Sequence, residues 1–63
     1  MEDDIYEIGD LIKFKFADVF NCYGIVIDII DEDIYLVSWQ KYPNNPSTEH
    51  RKALKLISKV SHA

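Results

Sequence analysis

The fold turns on Tyr23-Gly24-Ile25-Val26-Ile27-Asp28-Ile29-Ile30, the acidic triplet Asp31-Glu32-Asp33, and Ile34-Tyr35-Leu36-Val37-Ser38-Trp39. β-Branched and aromatic residues fill both arms, and the triplet between them has turn chemistry, so the stretch predicts a β-hairpin. Neither arm alternates cleanly. Ile25, Ile27 and Ile29 fall on one face of the first arm, with Val26 and Ile30 on the other. In the second arm Tyr35, Val37 and Trp39 oppose Ile34 and Leu36. Strands that are apolar on both faces call for cover on both.

Upstream, Leu11-Ile12-Lys13-Phe14-Lys15-Phe16 has period two, with Ile12, Phe14 and Phe16 on one side and Lys13 and Lys15 on the other. This reads as a half-buried strand, and lysines on an exposed strand guard against unwanted edge pairing. Gly9-Asp10 before it is a turn signal, with Ile5, Tyr6 and Ile8 supplying apolar contacts. Ala17 to Cys22 reads as a connecting loop in which Val19 and Phe20 pack over an open end of the sheet. Downstream, Lys41-Tyr42-Pro43-Asn44-Asn45-Pro46-Ser47 reads as a loop, because two prolines and two asparagines disfavour both helix and paired strand.

The last segment supports two readings. At the helical angle Ala53, Leu54, Leu56, Ile57 and Val60 gather on one side, opposite Arg51, Lys52, Lys55, Ser58 and Lys59. That pattern predicts an amphipathic helix over 47–60, capped by Ser47 or Thr48. The rival divides it into a short strand over 47–49, a tight turn over 50–53 and a strand over 54–58.

Sixty-three residues make one domain near the lower size limit for independent folding, and a 48% hydrophobic content excludes a disordered peptide. Apolar surface left over on so small a domain predicts contact with another copy or another protein. Cys22 is the only cysteine, so no internal disulfide braces the fold, which suits a reducing interior. The chain opens without a basic-then-apolar leader, and its longest apolar run is far short of a bilayer span. The expectation is a cytoplasmic protein without a membrane partner. The formal net charge of −4 is unevenly placed, with an acidic first decade and a basic final segment. Net acidity disfavours a general grip on nucleic acid, while leaving room for a local basic face.

Gly9-Asp10-Leu11-Ile12-Lys13-Phe14, Tyr23-Gly24-Ile25-Val26 with Ile29, and Tyr35-Leu36-Val37-Ser38-Trp39 together resemble the small SH3-like barrels of the KOW and Tudor-like kind. The closing His50-Arg51-Lys52-Ala53-Leu54-Lys55-Leu56-Ile57-Ser58 is similar to the end of many short, uncharacterised bacteriophage proteins, where a histidine and a one-turn helix lead into the last strand. A proline often follows that histidine; Arg51 stands here instead, which keeps the helix reading open. The resemblance implies an all-β, SH3-like barrel of about five short antiparallel strands over 5–58, with a one-turn helix before the last strand. Residues 1–4 are then frayed and 59–63 form a tail. The alternative is an α+β meander of three to four strands with a C-terminal amphipathic helix.

No catalytic set stands out. Cys22 has no histidine near it in sequence, and His50 and His62 lie apart with no cysteine beside them. Cys22 reads as a small buried side chain, His50 as a pin for the turn before the last strand, and Asp31-Glu32-Asp33 as a solvated hairpin tip. No enzyme, cofactor or metal is expected. Phe20, Tyr23, Tyr35, Trp39 and Tyr42 are candidates for an interaction surface at one mouth of the barrel, or for the core itself. The Tudor-like resemblance implies a cage for a methylated cation, and nucleic-acid binders stack bases on such rings. Lys13, Lys15, Arg51, Lys52, Lys55 and Lys59 form a candidate basic face, and Val26, Ile27 and Ile30 a candidate self-association strip. The leading expectation is a non-enzymatic, phage-type module that binds and modulates a host or viral protein. It is expected to form a homodimer or small homo-oligomer. A KOW-like nucleic-acid module and an oligomer trapping a small ligand are the alternatives.

Overall fold

Leu11–Phe14 forms β1, Gly24–Asp31 β2, Ile34–Trp39 β3, Tyr42–His50 β4 and Leu54–Ser58 β5, with a single 3-10 turn, Arg51–Ala53, before the last strand. The structure is a computed structural model that describes residues 5–16 and 22–60. All five strands belong to one antiparallel sheet of order β4-β3-β2-β1-β5. The protein is therefore all-β, with a barrel-like arrangement in which the final strand returns beside the first. The readings that assigned Phe20 and Val19 to a loop fall outside the described residues.

The hairpin forms as its composition requires, with Glu32 and Asp33 at the turn. Its register explains the mixed apolar pattern of β2. Val26 pairs with Val37, Asp28 with Leu36, Ile29 with Tyr35 and Asp31 with Ile34. Two irregularities, at Ile27 and Ile30, each add one residue to β2 that β3 does not match. Such bulges bend a strand and raise its twist, which lets a five-strand sheet curl around a small core. Gly9 extends the pairing before β1: its N–H donates to the Val26 carbonyl, and the Val26 N–H donates to the Asp10 carbonyl. Gly9 has φ +102°, a conformation that favours glycine.

Tyr6, Ile12, Cys22, Val26, Tyr35, Val37, Trp39 and Leu54 form the core, with Phe14 packed against it. Phe14 and Trp39 stack with ring centroids 4.6 Å apart, and Tyr6 meets Tyr35 edge-on at 5.4 Å. Tyr6 also ties three segments together. Its N–H donates to the Tyr35 hydroxyl at 3.1 Å, and its own hydroxyl donates to the Leu54 carbonyl at 3.1 Å. Fully burying an aliphatic or aromatic side chain contributes roughly 1.5–3 kcal/mol, so this short set supplies most of the driving force available to a chain of this size.

Several sequence expectations need correction. The candidate loop at 41–47 lies largely within β4. Its composition is nonetheless accommodated: the register passes from Trp39↔Tyr42 to Val37↔Ser47, so Pro43, Asn44, Asn45 and Pro46 all stand opposite Ser38 alone. The missing proline N–H groups thus fall in a wide bulge on an edge strand, where no ladder depends on them. Phe16, expected beside Ile12 and Phe14, lies past the end of β1 and is exposed, as are Ile5 and Ile8. The helix over 47–60 does not form. His50 is extended and its Nδ1 accepts from the Lys52 N–H at 3.1 Å, which starts the turn at Arg51, and Leu54 is extended again, which ends it at Ala53. The Lys15 N–H then donates to the Ala53 carbonyl, and Leu54 enters the core from β5.

Candidate functional site

β3 sets the two faces of the sheet. Tyr35, Val37 and Trp39 are buried, so Ile34, Leu36 and Ser38 face outward. Across the ladder, Leu11, Ile25 and Ser38 form one outward row, and Asp28, Leu36 and Thr48 another. On this face Ile25 and Ile27 remain 45% and 42% exposed while Leu11 and Leu36 are half-buried, so the described residues cover it only in part; Ile29, opposite the core residue Tyr35, and Ile30 are exposed as well. An open groove of about 500 Å³ crosses this surface, lined by Leu11, Tyr23, Gly24, Ile25, Ser38, Trp39, Gln40 and Pro43. Its floor is the Leu11–Ile25–Ser38 row, and the β4 bulge carries Pro43 to its side. Gly24 keeps the groove's neighbour Trp39 in place: a Cβ there would lie 2.6 Å from Trp39 Cε3 and from Val37 Cγ1.

The five aromatic candidates separate. Tyr35 and Trp39 are core residues, because β3 turns its odd positions inward. Tyr35 packs on Tyr6, and the Trp39 Nε1–H donates to Ser47 Oγ at 2.9 Å, which in turn donates to Glu49 Oε2 at 2.7 Å. Tyr23 and Tyr42 are exposed, and of these two only Tyr23 lines the groove. The four described rings are thus divided between core and surface, and Phe20 lies outside the described residues.

The basic candidates divide as well. Arg51 Nε donates to Asp33 Oδ1 at 2.6 Å, and its backbone N–H donates to the Asp33 carbonyl, so this residue fastens the last turn to the hairpin. The Arg51 hydrogen bond holds the Asp33 carboxyl below the usual carboxylate range. Lys59 lies beside Asp10 at 3.1 Å and Glu7 at 3.8 Å, and the Asp10 hydrogen bond raises its pKa. Lys13 and Lys55 are directly opposite each other on β1 and β5. The Lys13 ammonium sits 5.2 Å from the centre of the Tyr23 ring, a cation–π arrangement at the edge of the groove. Neither lysine has a carboxylate partner among the described residues. Lys15 and Lys52 are exposed at the turn end of β1.

Of the self-association strip, Ile27 and Ile30 are exposed, but Val26 is fully buried. Its pairing with Val37 puts it on the core face, and the bulge at Ile27 follows it.

Asp10 is the polar residue that the sequence pattern did not single out beyond its turn chemistry. Its side chain is fully buried. Oδ1 accepts from the Val60 N–H at 2.8 Å, and Oδ2 accepts from the Glu7 N–H at 2.8 Å and from Lys59 Nζ at 3.1 Å. Burial pushes the carboxyl up, but these donors outweigh it and hold it below its ordinary value. The role visible here is structural: one carboxylate latches the entry to β1 onto the segment leaving β5. Cys22 is buried, with its Sγ accepting from the Lys41 N–H at 3.3 Å. Among the described residues, no group of three or more His, Cys, Asp or Glu side chains is placed to hold a metal ion. No helix among them is long and apolar enough to cross a membrane.

Comparison with protein-family models, with curated proteins and with solved structures finds no match.

Proposed function

We propose that this chain is a non-enzymatic interaction module of the SH3-like, KOW/Tudor-like kind, a phage-type protein that binds and modulates a host or viral protein in the cytoplasm. The observation that carries the reading is the outer face that the described residues leave partly exposed, with its apolar groove between Tyr23, Ile25 and Pro43. Exposed apolar surface rimmed by polar residues is characteristic of protein-contact sites. The experiment is affinity capture from host lysate with the wild-type chain and with Ile25→Glu, which places a charge on the groove floor. A specific partner held by the wild type and lost in the variant supports the reading. Equal capture by both, or none by either, overturns it.

A second reading, a KOW-like nucleic-acid module, draws on Lys13, over the Tyr23 ring, and Lys55 opposite it, neither with a carboxylate partner among the described residues. Two lysines neutralise few phosphates, and the net charge of −4 opposes approach. A mobility shift at low salt that vanishes as salt rises would favour this reading over the first.

A further inference from the structure

Lys13 is a charge in the interior of the sheet. An edge guard needs a free edge, but β1 lies between β2 and β5 and is paired on both sides. Leu11 and Lys13 flank the buried Ile12 and therefore share the outer face. Directly opposite Lys13 on the ladder stands Lys55, next to the buried Leu54 and so outward as well. Like charges placed opposite each other cost the free chain stability. The half-buried Lys13 holds its ammonium 5.2 Å from the centre of the Tyr23 ring, and Tyr23 is a wall of the groove. Leu11, with Ile25 across the ladder from it, belongs to the groove floor. Apolar floor and paired cations thus adjoin, at the i, i+2 spacing of a single strand, about 6.6 Å.

We propose that the groove takes an extended acidic segment of the partner protein, in which an apolar side chain and a carboxylate are separated by one residue. The proposal rests on the interaction-module reading of this face and names the chemistry of what the face binds. In an extended chain the side chains i and i+2 point the same way and stand about 6.6 Å apart, the same spacing as Leu11 and Lys13. A segment lying along β1 sets its apolar side chain over Leu11 and Ile25 and its carboxylate over the Lys13–Lys55 pair. That carboxylate offsets the repulsion between two ammonium groups, so binding relieves a cost the free chain carries. The Tyr23 ring holds one of these groups at the edge of the groove beforehand, which lowers the cost of ordering a long lysine side chain. The apolar contact supplies most of the affinity, and the carboxylate selects the segment. A nucleic acid fits less well, because it brings a phosphate at every nucleotide against a chain of net charge −4. The acidic segment needs one carboxylate, where two cations already stand together.

The test is selection from a displayed library of random short peptides, followed by fluorescence anisotropy of the best-enriched peptide. Wild type is expected to enrich peptides in which Asp or Glu stands two positions from Leu, Ile, Phe or Trp. Lys13→Gln with Lys55→Gln should bind the chosen peptide about tenfold more weakly, the amount that two partly exposed ion pairs supply. Lys13→Glu with Lys55→Glu should lose that peptide and take a version with lysine in place of the carboxylate, which also shows that the variant is folded. No enriched pool, a pool without the acid at that spacing, or an affinity indifferent to both pairs of substitutions overturns the proposal. So does a single-stranded oligonucleotide that binds through Lys13 and Lys55 while no peptide does. These outcomes are separable from the parent reading. A lysate partner captured through Ile25, with no acid-dependent peptide, defeats the acidic segment alone. An acid-dependent peptide with no partner in the lysate defeats the host- or viral-protein reading and leaves the chemistry of the groove.

Discussion

Replacing Asp10 by Asn isolates the latch that joins the two ends of the fold. The carboxylate accepts three hydrogen bonds, two from backbone N–H groups and one from a lysine, in a fully buried position. An amide of the same shape keeps one acceptor oxygen for Val60. It turns an NH₂ group toward the Glu7 N–H and Lys59 Nζ, both themselves donors. Hydrogen bonds to a charged group contribute about 1.5–3 kcal/mol each, but the Lys59 side chain is half exposed and its share is screened by water. A net loss of about 2–3 kcal/mol follows. A 63-residue chain has roughly 3–9 kcal/mol in total, so this single atom change removes a large fraction of it. Urea unfolding followed by Trp39, the only tryptophan and a core residue, is the assay. With a slope near 1 kcal/mol per molar, the midpoint should fall by about 2–3 M. The acid limb gives a second readout. The folded Asp10 pKa is depressed, so its contribution is present above the unfolded value and lost as pH falls through the folded one. Asp10→Asn should therefore flatten the loss of stability below about pH 4. An unchanged midpoint together with an unchanged acid limb would refute the latch.

On the alkaline side, Lys59 has a raised pKa, so its contribution is complete below the unfolded value and lost as pH rises through the folded one; Lys59→Met should remove that high-pH step in a thermal melt. Gly24→Ala forces a methyl into Val37 and the Trp39 ring and should cost about 1–3 kcal/mol, with a shifted tryptophan emission maximum; wild-type emission and stability would show that the strand has slack. Leu54→Ala, at the fully buried position where β5 enters the core, should cost about 2–5 kcal/mol by denaturant titration, against a change within about 0.5 kcal/mol for the exposed Ile57→Ala.

The hairpin and the first strand were legible because each rests on local chemistry, whereas the all-β class came from the resemblance, with an α+β meander as its alternative. β-Branched arms around an acidic triplet have few other conformations, and the Lys13/Phe14/Lys15 alternation has the period of a strand. The closing turn and strand were legible only as one of two readings. The helical grouping of Ala53, Leu54, Leu56, Ile57 and Val60 is real in sequence, yet only Leu54 of that set is fully buried, and in a strand. The return of Leu54 to extended backbone after a single turn and the docking of Ala53 against Lys15 decide between the readings, and the second of these contacts is long-range.

The outer face was half legible. An apolar surplus on β2 follows from composition, but its assignment does not, because a bulge changes which side every later residue occupies. Val26 is inward through its pairing with Val37, and the one-residue irregularity that follows turns Asp28 to the outward side beside Leu36 and Ile29 to the side of Tyr35, with no distinctive sequence signal. The burial of Tyr35 and Trp39 likewise depended on β3's neighbours on both sides.

What the sequence determined by itself was therefore period, turn chemistry and the excess of apolar side chains, all set within a few residues along the chain. Tertiary structure alone decided the strand order, the inward turn of Val26, the Lys13–Lys55 pairing and the buried Asp10 latch. Asp10 meets Lys59 and Val60 about fifty positions away, and nothing local to Gly9-Asp10 distinguishes a buried acceptor from an ordinary turn aspartate. Such contacts arise from the pairing of β5 with β1, which brings the first and last strands side by side although they are far apart along the chain.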